Sequence, residues 1–276
     1  MTGRRIVITG AASGIGAATM AELQRVGCRV VGLDLHASGP DLIRCDVRDQ
    51  SSVDAAVADA VSRFGGLDVL INCAGLATPQ SAGLPPDDRA LAVIDVNLLG
   101  PWRVTGAALP ALRESRGRVV NVASGMAFVA LPFAPAYAMS KHGVVAYSGA
   151  LRLEHGDAIT VTTVYPGYIR TPIHRDSIEF GLTLEGSSPP ERIEDAVRAL
   201  TRGALADPAP RDIVTTRTGM FTVALSRFAP RRFVDHVILR TLRKNARGRS
   251  FDGAAPPVVD FARRLTSDAH QRRRSS

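Results

Sequence analysis

Tyr137-Ala138-Met139-Ser140-Lys141 places a phenol and an ammonium four residues apart. On a helix that spacing puts both on one face, one turn apart. A free tyrosine titrates near ~10 and is a poor base at neutral pH. A neighbouring cation favours the phenolate, so the pair can move a proton on or off a hydroxyl group. Oxidation of an alcohol, with hydride leaving from carbon, has a use for this arrangement, and in the reverse direction the phenol donates the proton. The spacing alone is a weak signal, because many solvated helix faces carry it. Thirteen residues upstream of Tyr137, however, Ser124 follows the strand-like run Arg118–Val122. A hydroxyl at the C-terminal end of a strand can bond a substrate oxygen and share the charge that develops on it.

A second constellation lies near the N-terminus. Thr9-Gly10-Ala11-Ala12-Ser13-Gly14-Ile15-Gly16 joins the strand-like run Arg5–Thr9 to a helix-like stretch, Gly16–Val26. Gly10 and Gly14 allow a tight turn, and Gly16 allows the helix to pack close to a sheet. Exposed N–H groups around Ser13, Gly14 and Ile15, at the positive end of a helix dipole, suit a pyrophosphate. Asp34 lies 18 residues after Gly16, at the end of the second strand-like run. A carboxylate there can accept hydrogen bonds from ribose hydroxyls and repels a 2′-phosphate. Neither the turn nor the residues directly after Asp34 carry Arg or Lys, so NAD is expected rather than NADP.

The glycine spacing is G-x-x-x-G-x-G, not the G-x-G-x-x-G of the commonest dinucleotide fold. Together with Tyr-x-x-x-Lys, the T-G-x-x-x-G-x-G form resembles the short-chain dehydrogenase/reductase family over about residues 4–217. The resemblance implies a catalytic tetrad of Asn97, Ser124, Tyr137 and Lys141. Asn97 would bend its helix and hold, through its backbone carbonyl, a water that extends a proton relay from Lys141. The ammonium of Lys141 can also bond the nicotinamide ribose. Asp46 and Val47 match the pair that lies against adenine in that family. Asn72-Cys73-Ala74-Gly75 matches the family's N-N-A-G turn, with Cys73 in place of the second Asn. That change removes an amide that braces the sheet, so a compensating arrangement is expected. Pro166-Gly167-Tyr168-Ile169-Arg170-Thr171 resembles the P-G-x-x-x-T segment, which implies that Thr171 and the Ile169 backbone hold the nicotinamide carboxamide and expose the pro-S hydride.

The elements that must position these groups are legible as alternation. Strand candidates are Arg5–Thr9, Arg29–Asp34, Leu42–Cys45, Val69–Asn72, Arg118–Val122, Thr160–Tyr165 and a last one near Asp212–Thr216. They are mostly apolar on both faces, as in a parallel sheet covered by helices. Between them, Gly16–Val26, Val53–Phe64, Arg89–Leu99, Ala138–Glu154 and Glu191–Ala206 read as helices. The expected fold is α/β, a doubly wound Rossmann-type parallel sheet of about seven strands flanked by helices. Residues 1–217 form the expected NAD-binding catalytic domain, including a substrate loop at about 168–190, and residues 218–276 a basic amphipathic extension. The turn-rich stretch Thr171–Ser188 ends in Pro189-Pro190, and Asp252 to Pro257 and Gln271–Ser276 read as irregular or frayed.

Substrate contacts are expected from Ser124, Met126, Phe128, Tyr137 and Tyr168, with Ala127–Ala134 and the loop after Pro172 adding mostly apolar side chains. A lipophilic secondary alcohol or ketone (a steroid, terpenoid or lipid-like molecule) fits this composition better than a sugar phosphate. An NADP-dependent ketoreductase of the same family is the alternative. A catalytically silent dinucleotide sensor is a further one, although it predicts damage to the tetrad that the sequence does not carry.

The charge is local. From Arg202 to the end, 16 Lys and Arg face 6 Asp and Glu, a net of +10, whereas the 201 residues before it net −2. Within Arg231–Lys244, Phe233, Val234, Val237, Ile238 and Leu242 form one face flanked by Arg residues. Such a helix either lies in a membrane interface, as expected for a peripheral contact through 221–244, or packs on the core or a partner subunit. Nucleic acid is not expected, because no aromatic platform interleaves the charges. Cys28, Cys45 and Cys73 have no C-x-x-C spacing, so neither a disulfide framework nor a metal site is expected. No stretch approaches the roughly 20 apolar residues of a spanning helix, and no secretory leader is legible, so a cytoplasmic protein is expected. The family resemblance also implies a homodimer or homotetramer, through helices around Arg89–Leu112 and Ala138–Glu154.

Overall fold

Seven parallel strands in the order β3-β2-β1-β4-β5-β6-β7 form one sheet in the computed structural model, which describes residues 3–182, 190–248 and 250–274. The strands are Arg5–Thr9 (β1), Arg29–Asp34 (β2), Leu42–Arg44 (β3), Val69–Asn72 (β4), Arg118–Val122 (β5), Thr160–Tyr165 (β6) and Asp212–Val214 (β7). The helices are Gly14–Arg25 (α1), Gln50–Phe64 (α2), Asp88–Ile94 (α3), Gly100–Glu114 (α4), Pro135–His155 (α5), Arg175–Glu179 (α6), Ile193–Leu205 (α7), Arg217–Phe228 (α8), Arg231–Arg247 (α9) and Pro256–Arg274 (α10).

The run Ile6-Val7-Ile8 shows why the strands are apolar throughout. All three side chains are fully buried, and successive ones enter opposite faces. Val7 packs with Val53 of α2, Val104 of α4 and Leu151 of α5. Ile6 and Ile8 pack with Met20 and Leu23 of α1 and Leu200 of α7. Each such side chain contributes about 1.5–3 kcal/mol by leaving water. Strand order reverses between β1 and β4, and that switch point opens the crevice in which an α/β sheet binds ligands.

Asn72 ends β4 opposite Asn121 of β5. The sequence placed it in the cofactor cradle, but its side chain is buried in the core. Its amide donates to Asn121 Oδ1 at 2.8 Å and Thr105 Oγ1 at 3.0 Å. Asn121 then donates to Ser148 Oγ at 2.9 Å. This ladder couples two strands to α4 and α5 and is the brace the chain has while carrying Cys73 next door.

Three expectations about helices change. The helix expected over Arg89–Leu99 does not stop there; a π-helical turn, Asp95–Leu99, joins α3 to α4 and carries the helical path on to Glu114. Pro101 falls at the junction of the π-helical turn and α4, where the Gly100 N–H still bonds the Asp95 carbonyl and the helical path continues. Of the segment Asp252 to Pro257 expected to be irregular, residues 252–255 are, but α10 begins at Pro256, and Gln271–Arg274 are helical. Residues 183–189 of the substrate loop lie outside the described residues. Among those described, no helix is long and apolar enough to cross a membrane, and no cluster of His, Cys, Asp and Glu could hold a metal.

Replacing Asn72 with Ala leaves Asn121 Oδ1 and Thr105 Oγ1 without their shared donor. Thermal unfolding of Asn72→Ala should show a loss of about 1–3 kcal/mol, the cost of leaving buried acceptors unpaired. An unchanged Tm would show that the ladder carries no stability.

Candidate active site

Two turns meet at the switch point. Thr9 Oγ1 accepts the N–H groups of Cys73 and Ala74, each at 3.0 Å. Gly10 has φ +69°, and a Cβ there would lie 2.7 Å from Ala74 Cα; a Cβ on Gly16 would lie 2.1 Å from the Gly10 carbonyl oxygen. Only glycine fits either position. No side chain caps α1 at Ser13, which leaves its first N–H groups for an anion. Gly14, with φ +54°, faces Thr171 across the crevice, its Cβ position 3.7 Å from Thr171 Cβ.

Asp34 closes the other side of the turn. Its carboxylate accepts the Ala12 N–H and the His36 N–H, both at 2.9 Å. Asp46 and Val47 line the same end of the cleft. So does Arg48, a cation that the sequence did not single out because 14 residues separate it from Asp34. It pairs with Asp46 at 2.7 Å, and its guanidinium holds the Asp46 carboxyl below the ordinary aspartate value.

The tetrad candidates converge at the middle of the cleft. Tyr137 and Lys141 stand on α5, and Ser124 lies just beyond β5, where its hydroxyl accepts the Met126 N–H at 3.1 Å; all three line the cleft. Lys141 Nζ donates to the Val122 carbonyl at 3.0 Å and lies 5.8 Å from the centre of the Tyr137 ring. Burial pushes the Tyr137 phenol up, and the Ser124 hydroxyl pulls it partly back. Burial pushes the Lys141 ammonium down to about 8. Asn97 sits in the π-helical turn and does not line the cleft. Its amide accepts the Leu76 N–H at 2.7 Å and donates to the Leu76 carbonyl at 2.9 Å and to Ser140 Oγ at 3.1 Å. It therefore locks the loop after Gly75 to α5. A Cβ on Gly75 would lie 3.8 Å from Lys141 Nζ.

Pro166, Gly167, Tyr168, Ile169 and Thr171 form the far wall. The Tyr168 ring meets His174 edge-on at 5.0 Å, and burial lowers the His174 pKa. The whole cleft, about 1220 Å³ in volume, is lined largely by apolar groups. Met126 lies there, but Phe128 does not. Phe128 turns into the core, stacked on Tyr165 at 6.0 Å and edge-on to His142 at 5.5 Å. Phe133 lines the cleft and packs edge-on against Phe261 of α10 at 5.5 Å.

The face of α9 has its own outcome. Phe233, Val234, Val237, Ile238 and Leu242 all line the cleft. Arg231 ties the start of α9 down by donating to the Phe128 carbonyl at 2.7 Å. Sequence periodicity identified the face but not what it covers, because α9 meets the cleft through contacts about a hundred residues apart along the chain.

Comparison with known proteins agrees with this geometry. Residues 4–180 match the family model described as short chain dehydrogenase. Dehydrogenase/reductase SDR family member 7B of Bos taurus is 32% identical over 250 residues, covering 77% of this chain and 76% of that protein. A 3-ketoacyl-(acyl-carrier-protein) reductase from Brucella melitensis, solved with NADH, superposes with a TM-score of 0.68 at 26% identity over 79% of this chain and 99% of that one. A short chain dehydrogenase from Burkholderia cenocepacia, solved with NADP, gives 0.71 at 26% identity over 86% and 98%. The chain belongs to the short chain dehydrogenase family of oxidoreductases, whose members bind NAD or NADP.

Proposed function

We propose that this protein is an NAD-dependent oxidoreductase that interconverts a secondary alcohol and a ketone on a lipophilic substrate. The observation that carries this is the convergence of Ser124, Tyr137 and buried Lys141, whose Nζ lies 5.8 Å from the Tyr137 ring centre, in the same cleft as the glycine turn. The turn fits a dinucleotide: Gly10 and Gly14 carry no side chain into the crevice, and the first N–H groups of α1 face it. Gly10, Ser13, Gly14, Ile15 and Gly16 would hold the pyrophosphate, and Asp34 the adenosine ribose. Asp46, Val47, Ala74 and Gly75 would border the adenine side. Gly167, Ile169 and Thr171 would hold the nicotinamide, which when bound supplies the hydride acceptor or donor. NAD is favoured because Asp34 meets the ribose end while Asp46 already neutralises Arg48.

In oxidation, Tyr137 Oη takes the hydroxyl proton and Ser124 Oγ holds the substrate oxygen. A protonated Lys141 beside the ring favours the phenolate. Met126 and Tyr168 border the reacting carbon, and the apolar faces of α8, α9 and α10 receive the body of the substrate. Steady-state kinetics against steroid, terpenoid and long-chain ketones should show NADH preferred over NADPH by roughly tenfold or more in kcat/KM, a difference of about 1.4 kcal/mol. Tyr137→Phe should lose nearly all turnover while still enhancing NADH fluorescence. Unchanged turnover in that variant would end the proposal.

Lys141 also sets a pH signature on stability. Its folded value lies below the ordinary lysine range, so the unfolded chain binds the proton more tightly and the charged lysine opposes folding. That penalty is complete below about 8 and disappears as the pH rises towards the ordinary value. Lys141→Met should therefore be inactive yet raise Tm at pH 7, with the gain shrinking above pH 8. A gain that grew with pH would contradict the assignment.

We read the chain as cytoplasmic and homo-oligomeric, with α4 and α5 as the docking helices. Trp102 and Met139 there are 61% and 57% exposed. A peripheral membrane contact through 221–244 is a second proposal, and within that span the face of α8 supports it. Phe221 and Phe228 are 71% and 78% exposed beside the exposed Arg217 and Arg227. Aromatic and basic side chains together favour an anionic lipid surface. Vesicles containing phosphatidylserine should sediment the full chain, and Phe221→Asp with Phe228→Asp should release it. Equal sedimentation of that double variant would overturn the contact.

A further inference from the structure

One carboxylate joins three separate parts of the cleft. Glu191 Oε2 accepts the Gly167 N–H at 3.0 Å and the Thr215 hydroxyl. Its Oε1 accepts the Thr216 hydroxyl at 2.6 Å. The Glu191 backbone N–H donates to the Tyr168 carbonyl at 2.7 Å, and Ile169 and Glu191 form a parallel bridge. A Cβ on Gly167 would lie 2.5 Å from this carboxylate, so the side chain occupies the space that glycine leaves. Thr216 in turn caps α8, accepting the Gly219 N–H at 3.0 Å. Thr218, Gly219, Leu225 and Ser226 of α8 line the cleft.

We infer that Glu191 is a positioning residue: it sets the Gly167–Thr171 turn for the nicotinamide half of the cofactor and fixes α8, a substrate wall, against that turn. The inference rests on the assignment of this cleft to a dinucleotide. Hydrogen bonds to an ionised acceptor are stronger and more directional than neutral ones, and a carboxylate can only accept. The N–H of Gly167 and the two hydroxyls make their shorter bonds to Glu191. Longer contacts at 3.4 Å run from the Gly167 N–H to Thr215 Oγ1 and from Thr215 Oγ1 to the Tyr165 carbonyl. Together they hold the start of the following turn in place. A glutamine keeps one acceptor oxygen and turns an NH2 towards donors, so it holds only part of the arrangement.

The test compares two ligands on the full chain, NADH by fluorescence and ADP-ribose by calorimetry, in the wild type, Glu191→Gln, Glu191→Ala and Thr215→Val. ADP-ribose carries the adenosine and pyrophosphate but no nicotinamide. NADH affinity and kcat should fall roughly tenfold in Glu191→Gln and further in Glu191→Ala, as expected for misplacement by a fraction of an ångström to an ångström. ADP-ribose affinity should stay at the wild-type value, and Thr215→Val should follow Glu191→Gln in direction. If Glu191→Ala does not fold, Glu191→Gln and Thr215→Val carry the same comparison. Parallel losses for both ligands would reduce Glu191 to a general structural role and overturn the inference, as would unchanged NADH affinity and kcat. A wild type that binds neither ligand would instead overturn the dinucleotide assignment itself.

Discussion

The structure depends on how closely two backbone turns approach where the strand order reverses. Gly10 and Ala74 are near enough that a single added carbon would fall within 2.7 Å of a main-chain atom. The Thr9 hydroxyl holds them there by taking both N–H groups that follow β4. With the turns pinned, α1 starts beside the crevice with its first donors unpaired, and Asp34 steadies the turn from β2 through the Ala12 N–H. Any side chain at Gly10 or Gly16 would force the turns apart and move every group beyond them. The glycines are thus needed for packing first, and the open start of α1 beside the crevice follows from that packing.

Behind the reacting groups, polar side chains are satisfied almost wholly by the protein. Asn97 binds both backbone groups of Leu76 and reaches Ser140, and Ser140 donates to the carbonyl of Tyr137 at 2.8 Å. That chain fixes α5 against the loop after β4 without entering the cleft. Lys141, 4% exposed, is held by the Val122 carbonyl. A charge so placed costs stability and is retained only where it does something. The brace of Asn72, Asn121 and Ser148 is the opposite case. It is neutral, and its amide NH2 groups are paired although Asn72 Oδ1 is buried without a partner. It ties the sheet next to the site to α4 and α5.

Most of the sheet was legible because a parallel strand buried on both faces must be a short apolar run, and Ile6-Val7-Ile8 or Val69–Asn72 can hardly be anything else. The glycine turn and the Tyr137–Lys141 pair were legible because their spacing in sequence is their spacing in space. What failed depends on distance or on side-chain direction. Phe128 sits among cleft residues in sequence, yet the turn after Ser124 sends it into the core. Glu191 reaches Gly167 across 24 residues, and nothing local announces it. Helix α10 was missed although Val258, Phe261 and Leu265 have helical spacing, because the basic tail and the paired prolines masked that period. Val258 and Leu265 are both buried.

The amphipathic pattern of α9 shows where sequence stops deciding. A helix in a membrane interface and a helix roofing an apolar cleft need the same stripe of large aliphatic and aromatic side chains with basic flanks. Two contacts break the tie: Val234 is buried, and Arg231 donates to the Phe128 carbonyl, so one end of α9 is fastened to the core. The remaining stripe still meets the cleft with Val237 41% exposed, an apolar surface that water covers unless a ligand does. A molecule that covers it binds the folded chain and not the unfolded one, and so stabilises the fold in proportion to its affinity. A ligand that covered this stripe would therefore couple its own binding to the stability of the C-terminal helices.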